Sequence, residues 1–256
     1  MNKSTKILYG ISIITLIMFI GIVAYGYIQK LTVKEQKPVA TMEVEGFGTI
    51  KMELYPESAP EAVANFITLA NRGFYNGLTF HRIVKDFMIQ GGDQAGDGTG
   101  SAKISNLRDL KEGEEDKEYN IKGEFMDNKV NNKIKMKEGI LAMARSSSYD
   151  TASSQFFIVT KDTPNIDGQY AGFGKVIEGM DVVHKIEEVE VKAKEGASEG
   201  AEVSTPVNTV KITSIKVETN GIDYGIPNTL EPPKATDYSS LYEQMGLDPS
   251  QVVVEE

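Results

Sequence analysis

The stretch from Phe80 to Asp93 constrains the fold more than any other part of this chain. It reads FHRIVKDFMIQGGD, with strand-forming residues on both sides of the charged pair Lys85 and Asp86. This pattern predicts two short strands joined by a tight turn. The paired strands would present four side chains to one shallow surface: Arg82, Phe87, Met88 and Gln90. Such a surface suits a substrate that is gripped and polarised but not cut, whereas a buried hairpin with a solvated arginine is the alternative.

Several other segments have the alternation or the apolar composition of short strands. They are residues 41–45, 49–54, 140–144, 155–159 and 210–217. Pro60 opens a segment with an apolar stripe, which predicts a helix because proline is tolerated in the first turn, and residues 179–188 predict a second helix. Many short strands, glycine turns and two helices indicate a mainly β domain, which we expect to be a closed antiparallel barrel capped by the helices.

Composition excludes several kinds of site. The 256 residues contain no cysteine, so a disulfide, a thiol nucleophile and a thiolate metal site are all impossible. The two histidines, His81 and His184, lie far apart in sequence, which argues against a histidine-rich metal site. A formal net charge of -10 argues against a nucleic-acid partner, because phosphates would be repelled.

Residues 7–28 form an uncharged apolar run about as long as a helix needs to cross a bilayer. Lys3 and Lys6 lie in the six residues before it, so we expect those six residues in the cytoplasm and the rest of the chain outside. A cleaved signal peptide is the alternative, since residues 24–26 place small side chains where a signal peptidase would read them. Because the run is longer than the usual signal core, an uncleaved anchor with a polar spacer at 29–37 is the favoured interpretation.

Two further segments stand apart by their charge. Residues 106–138 hold acidic residues first and lysines later, which indicates a solvated surface insertion within the domain. The tail at 220–256 is acidic and contains four prolines, so we expect most of it to be extended or mobile. Residues 237–246 are its one candidate helix.

A resemblance links these observations. The chain contains Phe80–Asp93, then GILAMARSSSYDTASSQFFIVT at Gly139–Thr160, followed by Ile166-Asp167-Gly168, Phe173-Gly174-Lys175-Val176 and Glu178-Gly179-Met180. In order and spacing, over residues 38–219, these motifs are similar to those of the cyclophilin family of peptidyl-prolyl cis/trans isomerases, in a bacterial-like form. The resemblance implies an eight-stranded barrel, no cofactor and no metal.

The resemblance also implies a role for each site residue. Arg82 would donate a hydrogen bond to the substrate around the prolyl amide, and Gln90 would hold the substrate backbone. The residues implied to line the proline pocket are Phe87, Met88, Phe157 and Ile166. Ala144 and Gln155 would bind the residues beside the proline.

Two positions depart from the pattern of many eukaryotic members. Asn165 and Tyr170 stand where a tryptophan and a histidine are common near the proline pocket, although the tyrosine still offers a ring and a hydroxyl. Tight cyclosporin binding is therefore not expected. Arg145 stands where an asparagine is common, which would alter the preferred residue before proline.

The sequence therefore predicts a monomeric, membrane-anchored prolyl isomerase. Its clients would be proline-containing polypeptides that fold outside the membrane, and its attachment to the membrane would be through residues 7–28. A peptide-binding chaperone or scaffold, with incidental isomerase activity, is the alternative. The charged insertion and the acidic tail motivate that alternative.

Overall fold

The computed structural model describes residues 13–24 and 36–232, which fall into two compact units divided after Gln36. In the first unit, residues 13–24 are helical (α1) and their large apolar side chains are exposed. Across those two described ranges, no helix has both the length and the apolar character needed to span a bilayer. The anchor predicted at 7–28 lies partly outside the described residues.

The second unit is mainly β. Its strands are β1 (Val39–Val44), β2 (Gly48–Leu54), β3 (Thr79–Val84), β4 (Met88–Asp93), β5 (Asn120–Ile121), β6 (Ile140–Met143), β7 (Phe156–Val159), β8 (Gly172–Glu178), β9 (Val191–Ala193), β10 (Val203–Pro206), β11 (Ile212–Glu218) and β12 (Thr229–Leu230). Eight of them form one antiparallel sheet in the order β11-β1-β2-β8-β6-β7-β4-β3. The remaining strands pair as β9 with β10 and β5 with β12. The mainly β prediction is therefore confirmed.

The helices of this unit are α2 (Pro60–Asn71), α3 (Ile104–Leu107) and α4 (Met180–Glu187), with 3-10 turns at Met126–Asn128 and Pro164–Ile166. The two long helices, α2 and α4, are the two that the sequence predicted. Pro60 occupies the first turn of α2, and the helix ends before Gly73, whose φ of 80° is a backbone conformation that suits glycine.

The sheet curls but does not close into a barrel, so the sequence prediction of a closed barrel is wrong. Its edge strands are β11 and β3, and they come together at an isolated bridge between Thr79 of β3 and Lys211, the residue before β11. Beside it, the Ile212 N–H donates to the Leu78 carbonyl at 2.7 Å. Farther along β3, near Arg82, β10 packs against the strand instead of β11. The sequence analysis did not predict this hairpin of β9 and β10.

The main core lies inside the curl, between the sheet and α2. The ring of Phe66 on α2 lies 5.2 Å from Tyr75, 5.6 Å from Phe156 and 5.3 Å from Phe173, measured between centroids. All four side chains are buried. Aromatic rings at these distances add to the apolar burial that holds a helix on a sheet. Helix α2 therefore covers the interior of the curled sheet, as the sequence predicted for one of the two capping helices.

The charged insertion at 106–138 contributes a buried carboxylate to α2. Glu124 accepts the backbone N–H of Glu61 at 3.1 Å and that of Ala62 at 2.9 Å. Burial raises the pKa of Glu124, and these two hydrogen bonds act against that rise. Ala59, the residue at the helix N-cap, has no polar side chain that could make these bonds. The insertion is thus partly structural and not only a solvated loop.

The described part of the tail is held against the domain. Asn228 donates its backbone N–H and its side-chain amide to the Glu61 carboxylate, both at 2.6 Å. The next residues form β12, which pairs with β5. The tail therefore stays on the domain as far as Pro232, and the helix predicted at 237–246 lies outside the described residues.

The cap supplied by Glu124 generates a stability prediction. We expect Glu124→Ala to lower the free energy of unfolding by about 1–2 kcal/mol, because two N–H groups at the start of α2 lose their acceptor. Chemical denaturation measures the change. Glu115→Ala is the matched control: its side chain is 77% exposed and forms a surface ion pair with Lys117 at 3.3 Å. The control should change stability by less than about 0.5 kcal/mol, and an equal loss in both variants would show that Glu124 does not cap the helix.

His184 generates a prediction of pH dependence. Its ring nitrogens lie 3.0 Å from a Glu187 carboxylate oxygen and 2.8 Å from one of Glu138. The hydrogen bond to Glu187 is the largest cause of a raised pKa for His184, and the hydrogen bond to Glu138 is the second. A raised histidine pKa stabilises the fold below the unfolded value of about 6.5, and this stabilisation is lost as pH rises through the folded pKa.

The melting temperature of the parent protein should therefore fall as the pH rises above about 6.5. His184→Gln should remove most of that slope, because the charged ring is gone. Thermal unfolding at several pH values measures both proteins. Identical slopes would exclude His184 as the source of the pH dependence.

Candidate active site

Four neighbouring strands, β3, β4, β7 and β6, build the candidate site on their outer face. Side chains alternate between the two faces of a strand, so Ile83 enters the main core while Arg82 faces outward. In the ladder, Arg82 pairs with Gln90, and Gln90 pairs with Phe157. Phe157 in turn pairs with Ala142 on β6. One row across the sheet therefore brings the cation, the amide and the aromatic ring together.

The turn between β3 and β4 forms as the sequence predicted. The Phe87 N–H donates to the Val84 carbonyl at 3.1 Å, and Asp86 has a φ of 58°. Aspartate tolerates this left-handed conformation better than most residues. The hairpin brings Phe87 and Met88 to the same face as Arg82.

A small cavity of about 90 Å³ opens on this face. It is lined by Arg82, Phe87, Met88, Gln90, Ala144, Arg145, Phe157 and Tyr170. Beneath it lies a second, smaller apolar cluster of buried residues, composed of Met88, Met136, Ile140, Ala142, Phe157 and Val159. A concave apolar site with a few polar groups at its rim is the usual form of a small binding site.

Arg82 lies at the rim of the cavity with its guanidinium held on two sides. Nη1 donates to Gln90 Oε1 at 3.2 Å and lies 3.9 Å from the sulfur of Met88. Nε and Nη2 donate to the two carboxylate oxygens of Glu202, each at 2.6 Å. The side chain is 34% exposed, so part of the cation still faces solvent.

Gln90 connects this cavity to a second, larger one of about 500 Å³. Its amide nitrogen donates to Gln155 Oε1 at 2.9 Å. Gln155 in turn donates to the carbonyls of Gly98 and Gly100, both at 3.0 Å. Gln90, Ala144 and Gln155 all line the larger cavity, and the tail residue Pro232 also lines it.

The glycine-rich loop at 96–100 is fixed by Asp93. This buried carboxylate accepts the backbone N–H groups of Ala95, Asp97 and Gly98 at 2.9, 2.8 and 2.6 Å. Gly100 passes so close that an added Cβ would lie 2.1 Å from the same carboxylate, which explains a glycine there. The loop therefore presents its carbonyls to Gln155 in a fixed arrangement.

The remaining predicted residues lie around the small cavity. The Tyr170 ring lies 5.3 Å from that of Phe157, edge to face. Ile166 packs against the smaller apolar cluster and is not among the residues that line the cavity. Arg145 lies over the Tyr170 ring at 4.8 Å and donates Nε to the Gln169 carbonyl at 3.1 Å.

His81, adjacent to Arg82, is buried, with 8% of its surface exposed. Burial lowers its pKa, so the neutral ring is favoured. Among the described residues, neither ring nitrogen has a hydrogen-bond partner. His81 lines neither cavity, which fits a structural packing role and not a catalytic one.

Glu202, which binds Arg82, was not identified by the sequence analysis. It lies 120 positions after Arg82, and its hairpin brings it there. The only signal in the sequence is a short run of small and acidic residues, EGASEGAE at 195–202. In the part of the chain that the structure describes, no group of three or more histidine, aspartate or glutamate side chains is arranged to hold a metal ion.

Comparison with known proteins identifies the family. Residues 39–217 match the family described as cyclophilin type peptidyl-prolyl cis-trans isomerase/CLD. Peptidyl-prolyl cis-trans isomerase-like 1 of Mus musculus is 37% identical over 178 residues, which are 69% of this chain and 90% of that protein. A peptidyl-prolyl cis-trans isomerase of Helicobacter pylori is 39% identical over 146 residues, 56% of this chain and 77% of that protein.

Comparison with a crystal structure supports the same family assignment at the level of the fold. The cyclophilin type peptidyl-prolyl cis-trans isomerase of Cryptosporidium parvum, solved in the presence of the dipeptide Ala-Pro, aligns with 70% of this chain and 98% of its own. The TM-score is 0.56 at 27% identity. Sequence and fold therefore agree, and the chain belongs to the cyclophilin-type peptidyl-prolyl cis-trans isomerases.

Proposed function

We propose that this isomerase acts through Arg82, whose guanidinium stabilises a prolyl amide halfway through its rotation. The observation that carries the proposal is the position of Arg82 at the rim of an apolar cavity that also contains Phe157 and Met88. The apolar walls suit a proline ring, and the cation lies beside the place where its amide would be. The amide of Gln90 lies next to the cation and would hold the substrate backbone.

The energetic demand on such a site is modest. Rotation about an X-Pro bond breaks amide resonance, with a barrier of roughly 18–20 kcal/mol, and forms no bond to the enzyme. A thousandfold acceleration needs about 4 kcal/mol of stabilisation in the transition state. A hydrogen bond from a charged donor supplies roughly 1.5–3 kcal/mol of it. Removal of the twisted amide from water is proposed to supply the rest.

Proline-containing polypeptides are the proposed substrates. The Cryptosporidium parvum relative, solved in the presence of Ala-Pro, supports this proposal. In this chain the small cavity would take the proline, and the larger cavity beyond Gln90 would take residues beside it. Arg145, which stacks on Tyr170 near both cavities, would influence the residue that precedes proline.

We further propose a location outside the membrane, with residues 7–28 as the anchor and exported or surface proteins as the clients of a monomeric enzyme. The apolar run and the lysines before it support this arrangement. Fractionation of cells tests it: the full chain should sediment with membranes, and a variant without residues 1–36 should not. Recovery of both proteins in the same fraction would contradict the anchor.

The catalytic proposal predicts the effect of removing the cation. Arg82→Ala should lower kcat/KM for a proline tetrapeptide by about 10- to 150-fold, because one charge-assisted hydrogen bond to the transition state is lost. The cis-to-trans exchange rate of the tetrapeptide, followed with the full chain in a mild detergent, measures this change.

Arg72→Ala is the control for that variant, since Arg72 forms an exposed ion pair with Asp109 at 3.0 Å, away from both cavities. It should retain the parental rate. Equal rates in Arg82→Ala and the parent would refute the assigned role. If Arg82→Ala also protected an unfolding client as well as the parent does, peptide binding and not isomerisation would be the primary function.

A further inference from the structure

The hairpin of β9 and β10 brings an acidic side chain onto the cation of the active site. It packs beside β3, and the Val207 N–H closes its base by donating to the Glu190 carbonyl at 2.9 Å. At its other end, Lys194 Nζ donates to the Asp97 carbonyl at 3.0 Å, on the glycine-rich loop. The hairpin therefore lies along β3 and is attached at its far end to the glycine-rich loop.

Glu202 precedes β10 and forms a fork-to-fork pair with Arg82. Each carboxylate oxygen accepts one N–H, at 2.6 Å, from the Nε and Nη2 side of the guanidinium. The opposite nitrogen, Nη1, is the one that contacts Gln90 and lies near Met88. Glu202 thus binds the side of the guanidinium away from the contact with Gln90, and it does not line the small cavity.

The donor count shows what remains for a substrate. A guanidinium has five N–H donors in a rigid plane. Two bind Glu202 and one binds Gln90, and among the described residues Arg82 has no other oxygen acceptor. The two remaining N–H groups lie on the terminal nitrogens. A flexible arginine would have to be ordered at each turnover, whereas one held on two sides is already ordered.

We propose that Glu202 is a positioning residue, which holds the Arg82 guanidinium so that its terminal N–H groups face the proline cavity. This inference rests on the proposed role of Arg82. Glu202 does not touch the substrate but fixes the plane and the rotamer of the group that does. The hydrogen bonds to Arg82 also keep the pKa of Glu202 below its usual range, so the carboxylate is charged when the enzyme works.

The test compares Glu202→Gln with Glu199→Gln in the full chain. Glu199 is exposed in the same run, and in the described part of the chain it forms no ion pair, so the control removes the same charge without touching Arg82. Glu202→Gln should lower kcat by about three- to tenfold with little change in KM, because a preorganised interaction of the transition state is weakened. Glu199→Gln should retain both constants, and the rates are compared well below the melting temperature of each protein.

A second measurement separates positioning from a general effect of the hairpin. In an Arg82→Lys background the two-pronged pair cannot form, so Glu202→Gln should change the rate by less than about twofold. An unchanged kcat in the single variant would overturn the inference, as would a faster one, which would make Glu202 a restraint on the cation. Equal losses in both backgrounds would also overturn it. If Arg82→Ala itself retains the parental rate, the proposed function fails instead.

Discussion

The alternation of side chains along four neighbouring strands is the constraint on which the site depends. Each strand sends one set of residues into the aromatic core around Phe66 and the other set to the outer face. Phe156 and Phe157 illustrate this, because adjacent residues in β7 belong to different apolar clusters. A shift of one residue in the register would bury Arg82 and expose Ile83. The packing of the core therefore also determines which side chains form the site on the outer face.

The site also depends on the contacts that hold the Arg82 cation. Gln90 and Met88 lie on one side of the Arg82 guanidinium and Glu202 on the other, so the side chain has defined neighbours before any substrate arrives. Gln90 is in turn fixed by Gln155, and Gln155 by the carbonyls of the glycine-rich loop. The polar groups thus form one connected network over an apolar floor. Such a network gives the cavity a rigid rim.

The sequence predicted correctly those features of the fold and site that depend on short local motifs. Motifs of a few residues each indicated the β3-β4 hairpin, the helices α2 and α4, and the family. The same motifs identified the residues that line the small cavity, and the predicted residue Ile166 lies just outside that cavity. Three features depend on contacts distant in sequence. These are the opening between β11 and β3, the capping of α2 by Glu124, which lies 62 or 63 positions away, and the pairing of Arg82 with Glu202, which lies 120 positions away. None of them leaves a periodic signal in the sequence. Only the folded chain brings these partners together.

The central claim is that the cation of the outer face contacts the proline linkage directly. A crystal structure of this chain with a proline-containing peptide tests it most directly. The account predicts the proline ring between Phe157 and Met88, with a terminal nitrogen of Arg82 within about 3.2 Å of an oxygen or nitrogen of the prolyl amide. A peptide bound elsewhere, or an Arg82 side chain turned wholly toward Glu202 and away from the bound proline, would contradict it.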